Sequence, residues 1–215
     1  IGTRALDVNT VSDNVAIGHE SLRANTTGAE NVAVGSLAAY TVSTGNYNVA
    51  IGYQALYTGN VGNTVAIGYK ALKYNSSTGY YNTAVGYLAL SANTTGDSNT
   101  ALGREALATN TTASNNTAVG YQALTANTTG TNNVAVGKGA LDSCTTSVSN
   151  VCIGTGAGGA ISTGNGENVC IGNNCAAAMT TAQQNILIGD NCAAGAAVTG
   201  NSNVIVGDNA GYNLT

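Results

Sequence analysis

The sequence predicts an all-β fold, a parallel β-solenoid of about 12 coils of 16–18 residues each, over residues 1–215. Three observations carry that expectation. A glycine recurs along the whole chain, at Gly2, Gly18, Gly35, Gly52, Gly68, Gly86, Gly103, Gly120, Gly137, Gly154, Gly172, Gly189 and Gly207. Each is led by the same phrase, as in Asn48-Val49-Ala50-Ile51-Gly52 and Asn133-Val134-Ala135-Val136-Gly137. Many are followed by a turn tetrad such as Asn93-Thr94-Thr95-Gly96. A fixed period of this length marks one supersecondary unit copied and stacked.

The first element of each coil is a strand. The residue before the glycine is always aliphatic, and three before it stands Val, Ile or Thr, so β-branched residues alternate with period two. Helix is disfavoured by the Gly and Asn load and by a repeat too short for two helices. The middle residue of the triplet faces opposite to its neighbours. If Val and Ile fill the coil, this column faces outward, yet it reads Ala16, Ala33, Ala50, Ala66, Ala84, Ala101, Ala118, Ala135, Cys152, Cys170, Leu187 and Ile205. A strand apolar on both faces is covered on both. The expectation is therefore a homo-oligomer with this alanine-lined column as its interface.

After the glycine a second short strand is expected, with a small third residue (Ala55, Ala123) and often Leu fourth (Leu56, Leu124). The Asn/Thr/Gly tetrad then turns the chain, Gly supplying positive φ and Asn bonding the local backbone. The asparagines opening each strand, from Asn14 and Asn31 to Asn203, are expected to stack as a ladder of amides that fixes register. Only Thr64 breaks this column, and a local irregularity is expected there. At ~4.8 Å per coil the rod is about 55–60 Å long. No atypical capping repeat stands at either end, so the chain reads as a segment of a longer fibrous protein.

Charged residues make up 7% of the chain and the net charge is −4. There is no basic patch, hence no case for nucleic acid, and no apolar run long enough for membrane insertion as a helix. No catalytic constellation converges, because the single His19 stands at an exposed repeat position. No metal or cofactor is expected, Asp190 and Asp208 reading as solvated. The five cysteines read as small apolar fillers rather than disulfides. The sequons at Asn25, Asn75, Asn93, Asn110, Asn127 and Asn213 read as turn asparagines rather than glycan sites. Tyr53, Tyr69, Tyr87 and Tyr121 follow the glycine in four coils and are the candidate ligand-binding residues, the other reading being a packed ladder.

The Asn and Val/Ile-Ala-Ile/Val-Gly columns resemble the YadA-like head repeat of trimeric autotransporter adhesins and related phage tail fibres. The resemblance covers the whole chain, although the coils here are about three residues longer. It implies a left-handed parallel β-roll, a homotrimer, and an extracellular place on a cell surface or virion tail fibre. The functional expectation is a non-enzymatic fibre or adhesin head segment that presents repeated loops for multivalent attachment to a host-surface glycan or protein receptor. The alternatives are a structural filament subunit stacking head to tail, and an ice-binding β-solenoid using Thr26, Thr94, Thr111 and Thr128.

Overall fold

In a computed structural model, which describes residues 1–76, 79–164, 166–195 and 198–212, the chain winds into a β-solenoid of about 11 turns. The strands are β1 Val15–Ile17, β2 Val32–Val34, β3 Val49–Ile51, β4 Val65–Ile67, β5 Thr83–Val85 and β6 Thr100–Leu102. Then follow β7 Thr117–Val119, β8 Val134–Val136, β9 Val151–Ile153, β10 Val169–Ile171, β11 Ile186–Ile188 and β12 Val204–Val206. They form one parallel sheet in sequence order, β1 to β12. Equivalent residues pair across it, Ala16 with Ala33 and Cys152 with Cys170. No helix occurs among the described residues.

Each strand stops after three residues because a glycine corner follows. Gly120 has φ +136°, and a Cβ there would lie 2.5 Å from the carbonyl oxygen of Gly137 in the next coil. Only hydrogen fits in that approach, and only glycine adopts that φ without strain.

The second strand is absent. After the corner the chain turns through alternate left-handed residues, Gln122 at φ 56° and Leu124 at φ 51°, with Ala123 between them. Coil-to-coil bonding persists regardless: the Leu124 N–H donates to the Ala140 carbonyl at 3.0 Å. A left-handed leucine costs roughly 1–2 kcal/mol, and its full burial returns about as much. Leu tolerates this backbone because it carries no branch at Cβ.

The inside and outside of the strands are the reverse of the expectation. Ala33, Ala50, Ala66, Ala84, Ala101, Ala118, Ala135, Cys152, Cys170 and Leu187 are essentially inaccessible within the single chain, Ala16 is buried and Ile205 half-buried. They line the coil interior and are not available as a subunit interface. Val15 and Ile17, at 46% and 44% exposed, face out.

The physical reason is lumen width. Opposite the strand's alanine sits the left-handed leucine, as Leu124 does for Ala118, and both belong to one buried cluster. A larger strand residue would collide with it. Where the strand residue grows, the opposite one shrinks: Cys152 goes with Gly158, Cys170 with Ala176, and Leu187 with Ala193. A Cβ on Gly158 would lie 2.6 Å from the sulfur of Cys152. Leu187 with Ala193 simply swaps the two sizes, and beside Cys152–Gly158 and Cys170–Ala176 the remaining space is filled by the buried Ile161 and Met179, which stand where Asn127 stands in its coil.

The corner asparagines form the expected ladder. The Asn116 Oδ1 accepts from the Asn133 backbone N–H at 3.0 Å and from its Nδ2 at 3.2 Å, while Asn116 Nδ2 donates to the Gly130 carbonyl at 2.9 Å. The ladder is interrupted at Thr64, also as expected. Asn48 Oδ1 is left buried with no hydrogen-bond partner, because Thr64 spends its hydroxyl on the Gly62 carbonyl.

Candidate binding surfaces

Because the small residues face inward, the sheet turns two aliphatic columns to the outside. Val15, Ile17, Ile51, Leu102, Ile153, Ile186, Ile188, Val204 and Val206 are all exposed, with the remaining members of both columns intermediate or exposed. Three threonines, Thr83, Thr100 and Thr117, interrupt one column. The face is about 53 Å long, from eleven spacings of ~4.8 Å, and about 10 Å wide. That area, roughly 500 Å², lies near the upper end of patches left bare by soluble monomers.

The residue after each corner glycine forms a second exterior column. Here Tyr53 and Tyr69 stack with centroids 5.6 Å apart, and Tyr69 and Tyr87 at 5.2 Å. The next rung is Arg104, whose guanidinium carbon lies 5.5 Å from the rings of both Tyr87 and Tyr121. The four tyrosines thus belong to one continuous ladder in which arginine replaces an aromatic rung. Their faces cover each other and their edges face water. Hydrogen bonding to Glu105 raises the Arg104 pKa further. Glu105 is in turn held below the ordinary carboxylate range, first by Gln122 and also by Arg104. Lys70 lies 4.8 Å from the Tyr69 centroid, and that contact raises its pKa.

A third column escaped the sequence reading. Arg23, Tyr40 and Tyr57 occupy the fifth position after the glycine; Tyr40 and Tyr57 stack at 5.1 Å, and the Arg23 Nη1 donates to the Tyr40 hydroxyl at 2.5 Å. The repeat spacing contained this signal, since these residues share a phase.

The turn tetrads do local work. Asn127 Nδ2 donates to the Gly130 carbonyl at 3.0 Å and to Asn110 Oδ1 at 2.9 Å, and its own Oδ1 accepts from the Gly130 N–H at 3.1 Å. Asn25, Asn75, Asn93, Asn110 and Asn127 are buried, so these sequons serve the turn; Asn213 lies outside the described residues. The loop threonines also bond along the stack, Thr94 to the Thr111 carbonyl at 2.9 Å and Thr111 to that of Thr128 at 3.1 Å.

All five cysteines are free and buried. Cys144 takes the Asn127 position one coil later, and its thiol donates to the Ser147 carbonyl at 3.6 Å. Burial pushes its pKa up to about 11. Cys170 is raised chiefly by its contact with the Cys152 thiol, and Cys175 by that with Cys170. Such groups stay protonated and unreactive at neutral pH. Among the described residues no cluster of His, Cys, Asp and Glu could hold a metal ion. His19 is exposed, 4.0 Å from a Glu20 carboxylate oxygen, and Asp190 and Asp208 are exposed.

No family model, curated protein or solved structure matches the chain.

Proposed function

We propose that the chain is a non-enzymatic segment of an extracellular trimeric fibre or adhesin head, built as a left-handed β-roll of the YadA-like head type. The observation that carries this reading is the uncovered aliphatic face running the length of β1–β12. Water contact along two such columns is costly, and sister chains packed around a common axis remove it. The interface is therefore assigned to the Val/Ile columns. Handedness and the number three come from the resemblance of the repeat. Three copies of every loop multiply weak contacts with a surface receptor, so avidity stands in for a deep pocket.

Light scattering on the purified chain at micromolar concentration tests the assembly. The expected mass is three times the 21.2 kDa of one chain, and Ile17→Lys together with Ile51→Lys is expected to lower it while β-structure is retained. A stable, folded 21.2 kDa species would sink the proposal. Head-to-tail stacking is the second reading; rods far longer than one chain in negative stain would establish it. The ice-binding reading loses support because Thr94 and Thr111 already donate their hydroxyls to neighbouring coils.

A further inference from the structure

We infer, resting on the proposed assembly, that Thr83, Thr100 and Thr117 form a register belt, which fixes how far sister chains slide along one another. The partner that this belt fits is a second copy of the chain, aligned coil for coil.

A repeated face is ambiguous by construction. The outer column that holds the threonines reads Val or Ile on β1–β4 and on β8–β12, and the second outer column is aliphatic on every strand. Rungs lie ~4.8 Å apart. Two copies displaced by one rung would still set aliphatic side chains on aliphatic side chains, so hydrophobic matching alone does not choose among the offsets. A displaced contact also fails to close around an axis and grows into an open fibre.

The belt breaks that ambiguity. Thr83 pairs with Thr100 and Thr100 with Thr117 across β5, β6 and β7, so the three stand on consecutive rungs in the middle of the face. Threonine keeps the β-branched shape of valine and fits the strand equally well; the change is one hydroxyl per rung. The loop threonines Thr94 and Thr111 donate their hydroxyls to the next coil. Those of the belt make no hydrogen bond among the described residues and are left to solvent or to a sister chain.

A hydroxyl both donates and accepts, so the belt complements itself. Threonine facing threonine pairs, whereas threonine facing valine buries an unpaired hydroxyl. A displacement of one rung sets one threonine of each chain against valine, and a displacement of three rungs sets all of them so. Area acts in the same direction. Two faces of roughly 500 Å² bury about 1,000 Å² together, close to the least that a stable contact needs, and every displaced rung lowers it. Threonines that served solubility alone would have no reason to stand together in mid-face.

Belt position, with composition held constant, is what the test changes. A shifted chain carries Thr83→Val, Thr100→Val, Val134→Thr and Val151→Thr, which moves the belt two rungs along the face. Parent and shifted chains, one isotopically labelled, are refolded together in equal amounts and their trimers are counted by native mass spectrometry. Each chain alone is expected to give the mass of three copies. Together they should sort, with mixed trimers about tenfold or more below their statistical share, because an aligned mixed trimer buries unpaired hydroxyls on four rungs. The belt-free chain, Thr83→Val with Thr100→Val and Thr117→Val, should lose the single mass and give displaced, longer particles in negative stain. Statistical mixing of two chains that each form trimers, or a uniform trimer from the belt-free chain, overturns the belt and leaves the assembly standing. A folded single chain from the parent overturns both.

Discussion

From Asn82 to Asn150 the corner ladder runs without interruption, each side-chain oxygen accepting the next coil's backbone N–H at 2.9–3.0 Å. Between Asn48 and Asn82 it does not. There the glycine spacing drops to 16 residues between Gly52 and Gly68, Thr64 replaces asparagine, and Asn48 Oδ1 goes unpartnered. The two regions share strands, corner glycines and buried leucines, so the difference isolates what the polar ladder adds. Hydrophobic filling sustains the coil in both places; the amide ladder holds one coil to the next in register. The interrupted region gives up the amide link while its strands stay in register, Val49 beside Val65 and Val65 beside Thr83, and the surface there opens into a cleft lined by Asn46, Gly62 and Asn63.

The largest effect expected from this contrast is at Asn116. Alanine there leaves the Asn133 N–H buried without a partner and takes one of two donors from the Gly130 carbonyl, which keeps Asn127 Nδ2, at a cost of about 2–3 kcal/mol. Asn48→Ala should cost about half as much, since Asn48 loses only its donor bonds, to Asn31 Oδ1 at 2.9 Å and to the Val61 carbonyl at 2.8 Å. Chemical denaturation of both variants measures the ratio. Equal losses would mean that the carboxamide acts by filling space rather than by linking coils.

The same contrast separates what the sequence announced from what it concealed. Period, strand triplet, amide ladder and the fault at Thr64 were legible because each repeats at a fixed phase, so a single departure stands out. The facing of the strand was misjudged because Val and Ile were taken as core by size. The deciding signal lay across two columns: Leu141 gives way to Gly158, Ala176 and Ala193 in the coils where alanine gives way to Cys152, Cys170 and Leu187. Only residues that share a lumen trade volume in this way. The second strand was misjudged because alternating small and apolar residues fit a strand as well as alternate left-handed turns. Leucine, without a β-branch, was the hint that β-propensity did not govern those positions.

Thr64→Asn repairs the fault and should give the next largest effect. The new Nδ2 reaches toward Asn48 Oδ1, and the new Oδ1 toward Asn82, joining two half-ladders. Satisfying one buried acceptor stabilises by about 1 kcal/mol, seen as a rise in denaturation midpoint. A neutral or destabilised variant would place the fault in the backbone of the shortened coil rather than in its side chain.

The smallest effect concerns the other way of leaving the turn ladder, which Cys144 illustrates. It keeps the bond to the turn carbonyl that Asn127 makes, but with a weaker donor that can ionise. Folding raises its pKa to about 11, so the folded chain keeps a proton that the unfolded chain releases near the ordinary thiol value of about 8.5. Its contribution is complete below that value and declines as pH climbs through the window toward about 11. By pH 9.5 the loss should be about 1 kcal/mol. Cys144→Asn carries no titrating group at this position, so subtracting its pH dependence from that of the parent isolates the thiol from tyrosines and lysines that titrate nearby. A difference of zero between pH 7.5 and 9.5 would mean that the sulfur ionises as easily in the folded chain as in the unfolded one, and that burial does not protect it. A difference of the expected size would show that burial keeps the thiol protonated, and that the turn tolerates sulfur at the asparagine position only in that form.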